Sequence, residues 1–286
     1  MINSASKKRN NFSYFAQIFG GKKAGLIILV LLFFVSSKGF SQRRRTVENL
    51  SYYDQQTLHY GFILGLNQMT FHVKPKDNIA FKTYQFDPVL APDITYDSLN
   101  VYGVESNPIP SFTVGIVGNL RLGEYFDLRL VPSLSLGERQ IKYNVLVHYK
   151  GESRLETIKK RIPSVLVDIP LHLKYKSKRY NNMRGYVLAG PRLSLDLSSK
   201  SKAQKLNDNA APSIVKNDLM MEFGVGFDFY TTYFKFGTEI KMSYGLTNII
   251  NHVVPEQNNI NNTEILYTNV IDKVNSKIFQ ISFTFE

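Results

Sequence analysis

The sequence predicts an all-β fold, an eight-stranded antiparallel transmembrane β-barrel with short periplasmic turns and long outer loops. Three observations point there: an unbroken apolar–polar alternation at the C-terminus, its recurrence in seven further stretches, and links that are short and long by turns. At the C-terminus Phe279, Ile281, Phe283 and Phe285 alternate with Gln280, Ser282, Thr284 and Glu286. Successive strand side chains point to opposite faces, so one face of this strand is wholly hydrophobic and the other wholly polar.

The other seven stretches follow in chain order. Residues 58–70 set Tyr60, Phe62, Leu64 and Leu66 against Gly61, Gly65 and Asn67. In 111–122, Phe112, Val114, Ile116, Leu120 and Leu122 oppose Thr113, Gly115, Asn119 and Arg121. In 126–139, Leu128, Leu130, Leu134 and Leu136 oppose Asp127, Arg129, Ser133, Ser135 and Arg139. Residues 164–176 carry Val165, Val167, Ile169, Leu171, Leu173 and Tyr175 against Asp168, His172, Lys174 and Lys176. The stretch 184–198 alternates less cleanly, and a bulge is expected at Gly190-Pro191. In 218–230, Leu219, Met221, Phe223, Val225, Phe227 and Phe229 face away from Asp218, Glu222, Gly224, Gly226 and Asp228. In 234–246, Phe236, Ile240, Met242, Tyr244 and Leu246 face away from Lys235, Gly237, Glu239, Lys241 and Ser243.

Tight links are expected at 123–125, 177–183 and 231–233, and long ones at 71–110, 140–163, 199–217 and 247–276. Strict alternation of that kind is the habit of transmembrane barrels, whose strand number is even and whose termini share the periplasmic side. Aromatic residues gather at the tight links (Tyr125, Phe126, Tyr230, Tyr233, Phe234), where an interfacial girdle belongs. Phe, Leu and Val are expected to face lipid. Arg121, Asp127, Arg129, Arg139, Asp168, His172, Lys174, Glu222, Asp228, Glu239 and Lys241 are expected to form a polar network in the lumen. An eight-stranded barrel is narrow, so side chains fill it. A soluble barrel or sandwich would show the same alternation with the faces reversed.

Composition excludes several classes. Mean hydropathy is −0.17, unlike a protein of many membrane helices. The chain has no Cys, which removes disulfides, thiolate metal sites, cysteine nucleophiles and a lipoprotein anchor, and no Trp, but 20 Phe and 17 Tyr. The formal charge is +12, yet residues 1–41 carry six Lys/Arg and no acid, leaving 29 basic against 23 acidic residues beyond them. Scattered charge with no recognisable module argues against nucleic acid. Residues 1–41 read as a signal peptide: a basic lead, a twelve-residue apolar run at 24–35, and Gly39 and Ser41 before a cleavage point. Residues 42–57, which include Arg43, Arg44 and Arg45, are expected to form a periplasmic lead, and 58–286 the barrel.

No catalytic, cofactor or metal site is expected. His172 and Asp168 share a face, but four strand residues place them about 13 Å apart. His59, His72, His148 and His252 show no metal-ligand spacing. The glycines near Gly61, Gly65, Gly224 and Gly226 read as strand positions, not phosphate cradles.

The run Leu120-Arg121-Leu122-Gly123-Glu124-Tyr125-Phe126-Asp127-Leu128-Arg129, with Gly115-Ile116-Val117 before it and Pro132 and 134–139 after, resembles the PorT-type proteins of Bacteroidetes. So do 170–173, the following Lys174-Tyr175-Lys176-Ser177-Lys178-Arg179 with Asn181-Asn182, and His59-Tyr60-Gly61-Phe62 with Gly65-Leu66-Asn67. The resemblance spans most of 58–286. It implies a non-enzymatic outer-membrane barrel, an accessory component of type IX protein secretion and, in some species, gliding. Expected partners are outer-membrane lipid and other type IX components, with no small-molecule substrate. No catalytic residue carries over. The turns bearing Glu124, Tyr125, Arg179, Asn181 and Asn182 are candidate partner contacts. The alternatives are a barrel enzyme acting on lipid or peptide, and a general surface-binding barrel.

Overall fold

The computed structural model describes residues 49–77, 79, 83–85, 97–198, 214–250 and 270–286. The expected signal peptide, and most of the loops at 86–96, 199–213 and 251–269, lie outside the described residues. The chain divides into two units, 1–45 and 46–286; only the second is described. It opens with a short 3-10 turn at Tyr53–Gln55, followed by eleven strand segments: β1 (Leu58–Pro75), β2 (Thr83–Gln85), β3 (Ser98–Asn107), β4 (Ile109–Arg121), β5 (Phe126–Leu130), β6 (Ser133–Tyr149), β7 (Glu152–Lys176), β8 (Met183–Asp196), β9 (Asn217–Tyr230), β10 (Lys235–Gly245) and β11 (Ile271–Phe285).

All pairings are antiparallel, and the sheet closes because β1 pairs with both β11 and β4. Only Pro108 separates β3 from β4, and only Val131-Pro132 separates β5 from β6. A proline has no N–H to give the ladder, so each ribbon is interrupted there without changing course. Counting β3–β4 and β5–β6 as single ribbons, ten segments build a wall of eight staves, the number read from periodicity, and β2 adds to the free edge of β3. Closure leaves no unpaired edge in the wall, as hydrocarbon requires. No helix among the described residues is long and apolar enough to cross a membrane.

The faces fall as the alternation requires. On β9, Leu219, Phe223, Val225, Phe227 and Phe229 are exposed, while Asp218, Met220, Glu222 and Asp228 are buried. On β7 the outward positions are apolar from Tyr175 through Val165. Ten steps of about 3.4 Å, tilted about 45°, make a belt about 24 Å tall.

Three expectations are corrected. The link 140–163 is no loop: β6 and β7 stay in register from Ser133↔Asp168 to Tyr149↔Glu152. They are joined by Lys150-Gly151, both at positive φ (49° and 85°), as the turn of a two-residue hairpin requires. The link 71–110 likewise contains the end of β1 together with β2 and β3. Finally, Gly190-Pro191 forms no bulge. The β8–β9 register runs unbroken through Gly190↔Glu222 and Pro191↔Met221, and β7–β8 resumes the same register on either side. Register shifts occur instead at Lys74/Pro75 and at Val101/Gly103.

Beyond the belt the polarity of the two faces inverts. On β6 the inward positions change from Ser135 and Arg139 to Ile141, Tyr143, Val145 and Val147, all buried. On β1, Asn67 gives way to Met69 and Phe71, and on β7, Ser164 gives way to Ile162 and Ile158. Phe71, Ile141, Tyr143, Val145, Val147, Ile158 and Ile162 form one apolar core at the outer end with Leu99, Val101, Val104, Ile249, Ile250, Ile271 and Val274, while Met69 packs with Leu166, Met220 and Ile278 in a separate small cluster. This crown is built as a water-soluble sheet is, apolar inside and polar outside, whereas the wall beneath it is built the opposite way.

Candidate functional site

Among the described residues the lumen buries eight cations (Arg129, Arg139, Lys174, Lys176, Arg184, Arg192, Lys235 and Lys241) and eight carboxylates (Asp127, Asp168, Asp196, Asp218, Glu222, Asp228, Glu239 and Glu286). Ten of the eleven sequence-predicted network residues lie there. Arg121 does not: it sits half-buried at the turn end, where Nε donates to the Gly123 carbonyl at 3.1 Å and Nη1 to the Asp54 carbonyl.

The network is built in layers. Nearest the crown, Arg139 donates to Ser164 at 2.7 Å and Asp196 at 2.6 Å, its guanidinium 4.6 Å from the centre of the Phe71 ring. Arg139 thus marks the boundary between charged lumen and apolar core. Below it, Arg192 forks onto Asp168 (Nε–Oδ1 3.1 Å, Nη2–Oδ2 2.6 Å) and reaches Glu222 with Nη1 at 2.8 Å. Asp168 also accepts from Ser135 at 2.7 Å and from Ser194. His172 Nε2 lies 3.0 Å from Glu222, not beside Asp168, so the two same-face residues act in separate contacts. Lys241 bridges Glu222 at 3.5 Å and Glu239 at 3.6 Å. Glu239 pairs with Arg129 and accepts from Tyr186 Oη at 2.6 Å. Nearest the turns, Lys174 binds Asp228 at 2.8 Å, Lys176 binds Asp127 at 2.6 Å, and Lys235 binds Glu286 at 2.6 Å. A buried charge is tolerated when paired and hydrogen-bonded. Every buried charge named here meets that condition except Asp218, which accepts from the Thr247 hydroxyl at 2.9 Å and has no cation within ion-pair distance among the described residues.

Sequence reasoning left Arg184, Arg192 and Asp196 out because Tyr186 and Leu188, which also point inward, hid the polar phase of β8. Lys176, Lys235 and Asp218 were placed on polar faces but not joined to the network. Glu286 likewise lies on the polar face of its strand but is not among the expected network residues.

The turn end is closed by the lead. Arg184 holds Asp54 through two hydrogen bonds of 2.8 and 2.9 Å, and Arg179 lies 3.7 Å from the same carboxylate. Burial raises the Asp54 pKa, but Arg184 and then Arg179 outweigh it and hold the carboxyl below the usual carboxylate range. Tyr53 stacks on His59 (centroids 3.9 Å apart) and donates to Glu286 at 3.0 Å. Of the candidate partner-contact residues, Arg179 donates to the Leu50 carbonyl at 3.2 Å and to that of Asn49, and Asn182 Oδ1 accepts the Asn49 N–H at 3.1 Å. Asn181 occupies the left-handed region (φ 56°) in that turn. Glu124 is exposed and Tyr125 half-buried in the first turn, the Tyr125 carbonyl accepting the Lys176 N–H at 2.8 Å. Arg179 and Asn182 therefore clamp the lead, a use that only the folded chain reveals. The crown's apolar core packs the described lumen at one end, and this strap is hydrogen-bonded to the turns at the other.

One outer contact bears on the enzyme reading. His148 Nδ1 lies 2.7 Å from Ser153 Oγ across the tip of the β6–β7 hairpin. Asp97 is nearby, but its carboxylate accepts the Lys150 N–H at 2.7 Å. Among the described residues no group of three or more His, Asp or Glu side chains is placed to hold a metal ion.

Comparison with known proteins gives one family: residues 40–251 match the outer membrane protein β-barrel domain. No curated protein matches the chain. Among solved structures it is similar to the outer membrane protein OprG of Pseudomonas aeruginosa, with 11% identity over 79% of this chain and 95% of that one, at a TM-score of 0.36. It is similar also to Neisserial surface protein A (NspA), with 10% identity over 80% of this chain and 98% of that one, at a TM-score of 0.37.

Proposed function

The chain belongs to the outer membrane protein β-barrel domain family, and from that premise we propose that it is a non-enzymatic accessory barrel of type IX protein secretion, in some species also serving gliding. In this reading residues 1–41 are removed on export, and the periplasmic face works with other components of the secretion machinery. The observation that carries it is the filled interior: among the described residues the lumen is packed with large, mostly paired charged side chains, which argues against solute passage and leaves the work to the two ends of the barrel. The likeness to PorT-type proteins at 120–129 and 174–182 supplies the system, and both runs lie at the turn end.

Deletion of the gene is expected to leave type IX cargo inside the cell and to abolish gliding where it exists. Affinity purification of the tagged barrel from outer membranes is expected to bring other type IX components with it. Normal cargo release in the deletion strain would reject the proposal. The mature protein is expected to begin at Gln42, which N-terminal sequencing reads directly. The enzyme alternative rests on the His148–Ser153 contact. Ser153→Ala is expected to leave secretion intact; loss of function with the barrel still folded would favour that alternative.

A further inference from the structure

The outward face of the β3–β6–β7 sheet changes chemistry in bands as it leaves the belt. The belt ends at Val167, Val165 and Pro163 on β7, opposite Leu134, Leu136 and Glu138 on β6, and an apolar pair, Leu155 opposite Leu146, returns only near the hairpin tip. Next come Arg161, and then Lys159 directly opposite Lys142. Beyond them Thr157 faces Asn144, its Oγ1 donating to the amide oxygen at 3.1 Å. Tyr102, at the register shift of β3 beside Asn144, is 55% exposed. Four residues beyond Val165 place the Arg161 backbone about 10 Å above the hydrocarbon, and eight place Thr157 about 20 Å above it.

The basic band departs from the rest of the molecule. Like charges directly opposite on adjacent strands are destabilising, yet Lys142 and Lys159 are so placed. Neither they nor Arg161 has an ion-pair partner among the described residues. Glu105 stands across from Lys142 on β3, and Glu138 stands diagonal to Arg161, but neither closes an ion pair. Every described buried cation of the lumen has a carboxylate partner, so an uncompensated outward cluster of cations at headgroup height calls for an anion supplied from outside. Long basic side chains there can reach back to the membrane surface.

We propose that this face is a binding site for a phosphorylated glycolipid of the outer leaflet. Its acyl chains lie on Val165, Val167 and Leu136, its phosphates between Arg161, Lys159 and Lys142, and its sugars against Thr157, Asn144 and Tyr102. The order of chemistries, apolar then cationic then amide, hydroxyl and aromatic, matches the order of groups in such a lipid from bilayer to solvent. The site depends on the family's outer-membrane location and not on a role in secretion.

The test titrates the delipidated full-length mature protein in detergent with bisphosphorylated lipid A, the same lipid A dephosphorylated, and phosphatidylglycerol, with adducts counted by native mass spectrometry. Phosphorylated lipid A is expected to bind at least about tenfold tighter than either control. Each cation near a membrane surface contributes on the order of a few-fold, so the triple variant K142Q/K159Q/R161Q is expected to lose about ten- to a hundredfold. K159Q alone is expected to lose a part of that, and K178Q, in a turn at the opposite end, nothing. Heat-modifiable migration checks that each variant remains folded. Equal binding of phosphatidylglycerol or of dephosphorylated lipid A, or unchanged binding by the triple variant or by K159Q, overturns the assignment.

Discussion

Replacing Arg192 by Leu tests the lumen where its charges are most closely tied. Arg192 makes two hydrogen bonds to Asp168, one to Glu222 and one to Ser243, and all of these groups are buried. Without it Glu222 keeps Lys241 at 3.5 Å and His172 at 3.0 Å. Asp168 keeps only the hydroxyls of Ser135 and Ser194 as side-chain partners. The variant therefore leaves one buried carboxylate without a cation, and removing one partner of a buried pair costs about 3–5 kcal/mol. Neutralising the stranded group in the double variant Arg192→Leu/Asp168→Asn removes the charge but keeps hydrogen-bonding capacity, so at least about half of the loss should return. Urea unfolding of the barrel in lipid vesicles, followed by tyrosine fluorescence and heat-modifiable migration, measures both. A loss in the single variant below about 1 kcal/mol, the level of a surface ion pair, or a double variant no more stable than the single one, would refute a lumen held by desolvated, mutually compensating charges.

Other consequences follow from the same geometry. Val225→Arg, an exposed position midway along β9, is expected to cost about 2–4 kcal/mol in vesicles and much less in a water-exposed setting; vesicle unfolding compared with Val225→Leu reads the difference. Gly226→Ala sets a methyl 2.6 Å from the Tyr186 hydroxyl and is expected to cost about 1–3 kcal/mol by overpacking, measured in the same assay. Because Asp54 is held below its usual range, the strap's stabilisation is complete above the unfolded carboxyl value of about 3.9 and fades as pH falls through the lower folded value. Limited proteolysis at 49–56 should find the strap protected near pH 6 and cut more readily below about pH 3.9, with Asp54→Asn susceptible at both; equal protection in all cases would count against the clamp.

The wall was legible because its physics is local. Period two on each ribbon fixes which residues share a face, and short and long links fix the order in which ribbons meet. The crown was not legible for a related reason. From 140 to 149 the alternation continues in phase, but the inward residues turn from polar to apolar as the strand leaves the membrane, so the stretch resembled no further wall strand. Lys150-Gly151, flanked by alternating residues on both sides, was the signal for a hairpin there. β8 misled differently: Tyr186 and Leu188 are apolar side chains on a polar face, one tied to Glu239 and the other packed in the lumen. The strap was invisible because it rests on pairs such as Asp54–Arg184 and Asn49–Asn182, more than a hundred residues apart in sequence.

The measurement closest to the centre of this account uses the natural absence of cysteine. Single cysteines at the outward positions of β7, from Leu155 to Tyr175 in steps of two, can be spin-labelled in vesicles and their collisions with oxygen and a water-soluble nickel chelate compared. High oxygen and low chelate accessibility at 165–175, crossing to high chelate accessibility at 155–161, is the predicted profile. Chelate reaching 165–175, or no crossover along the strand, would contradict a lipid-facing belt surmounted by a water-exposed crown.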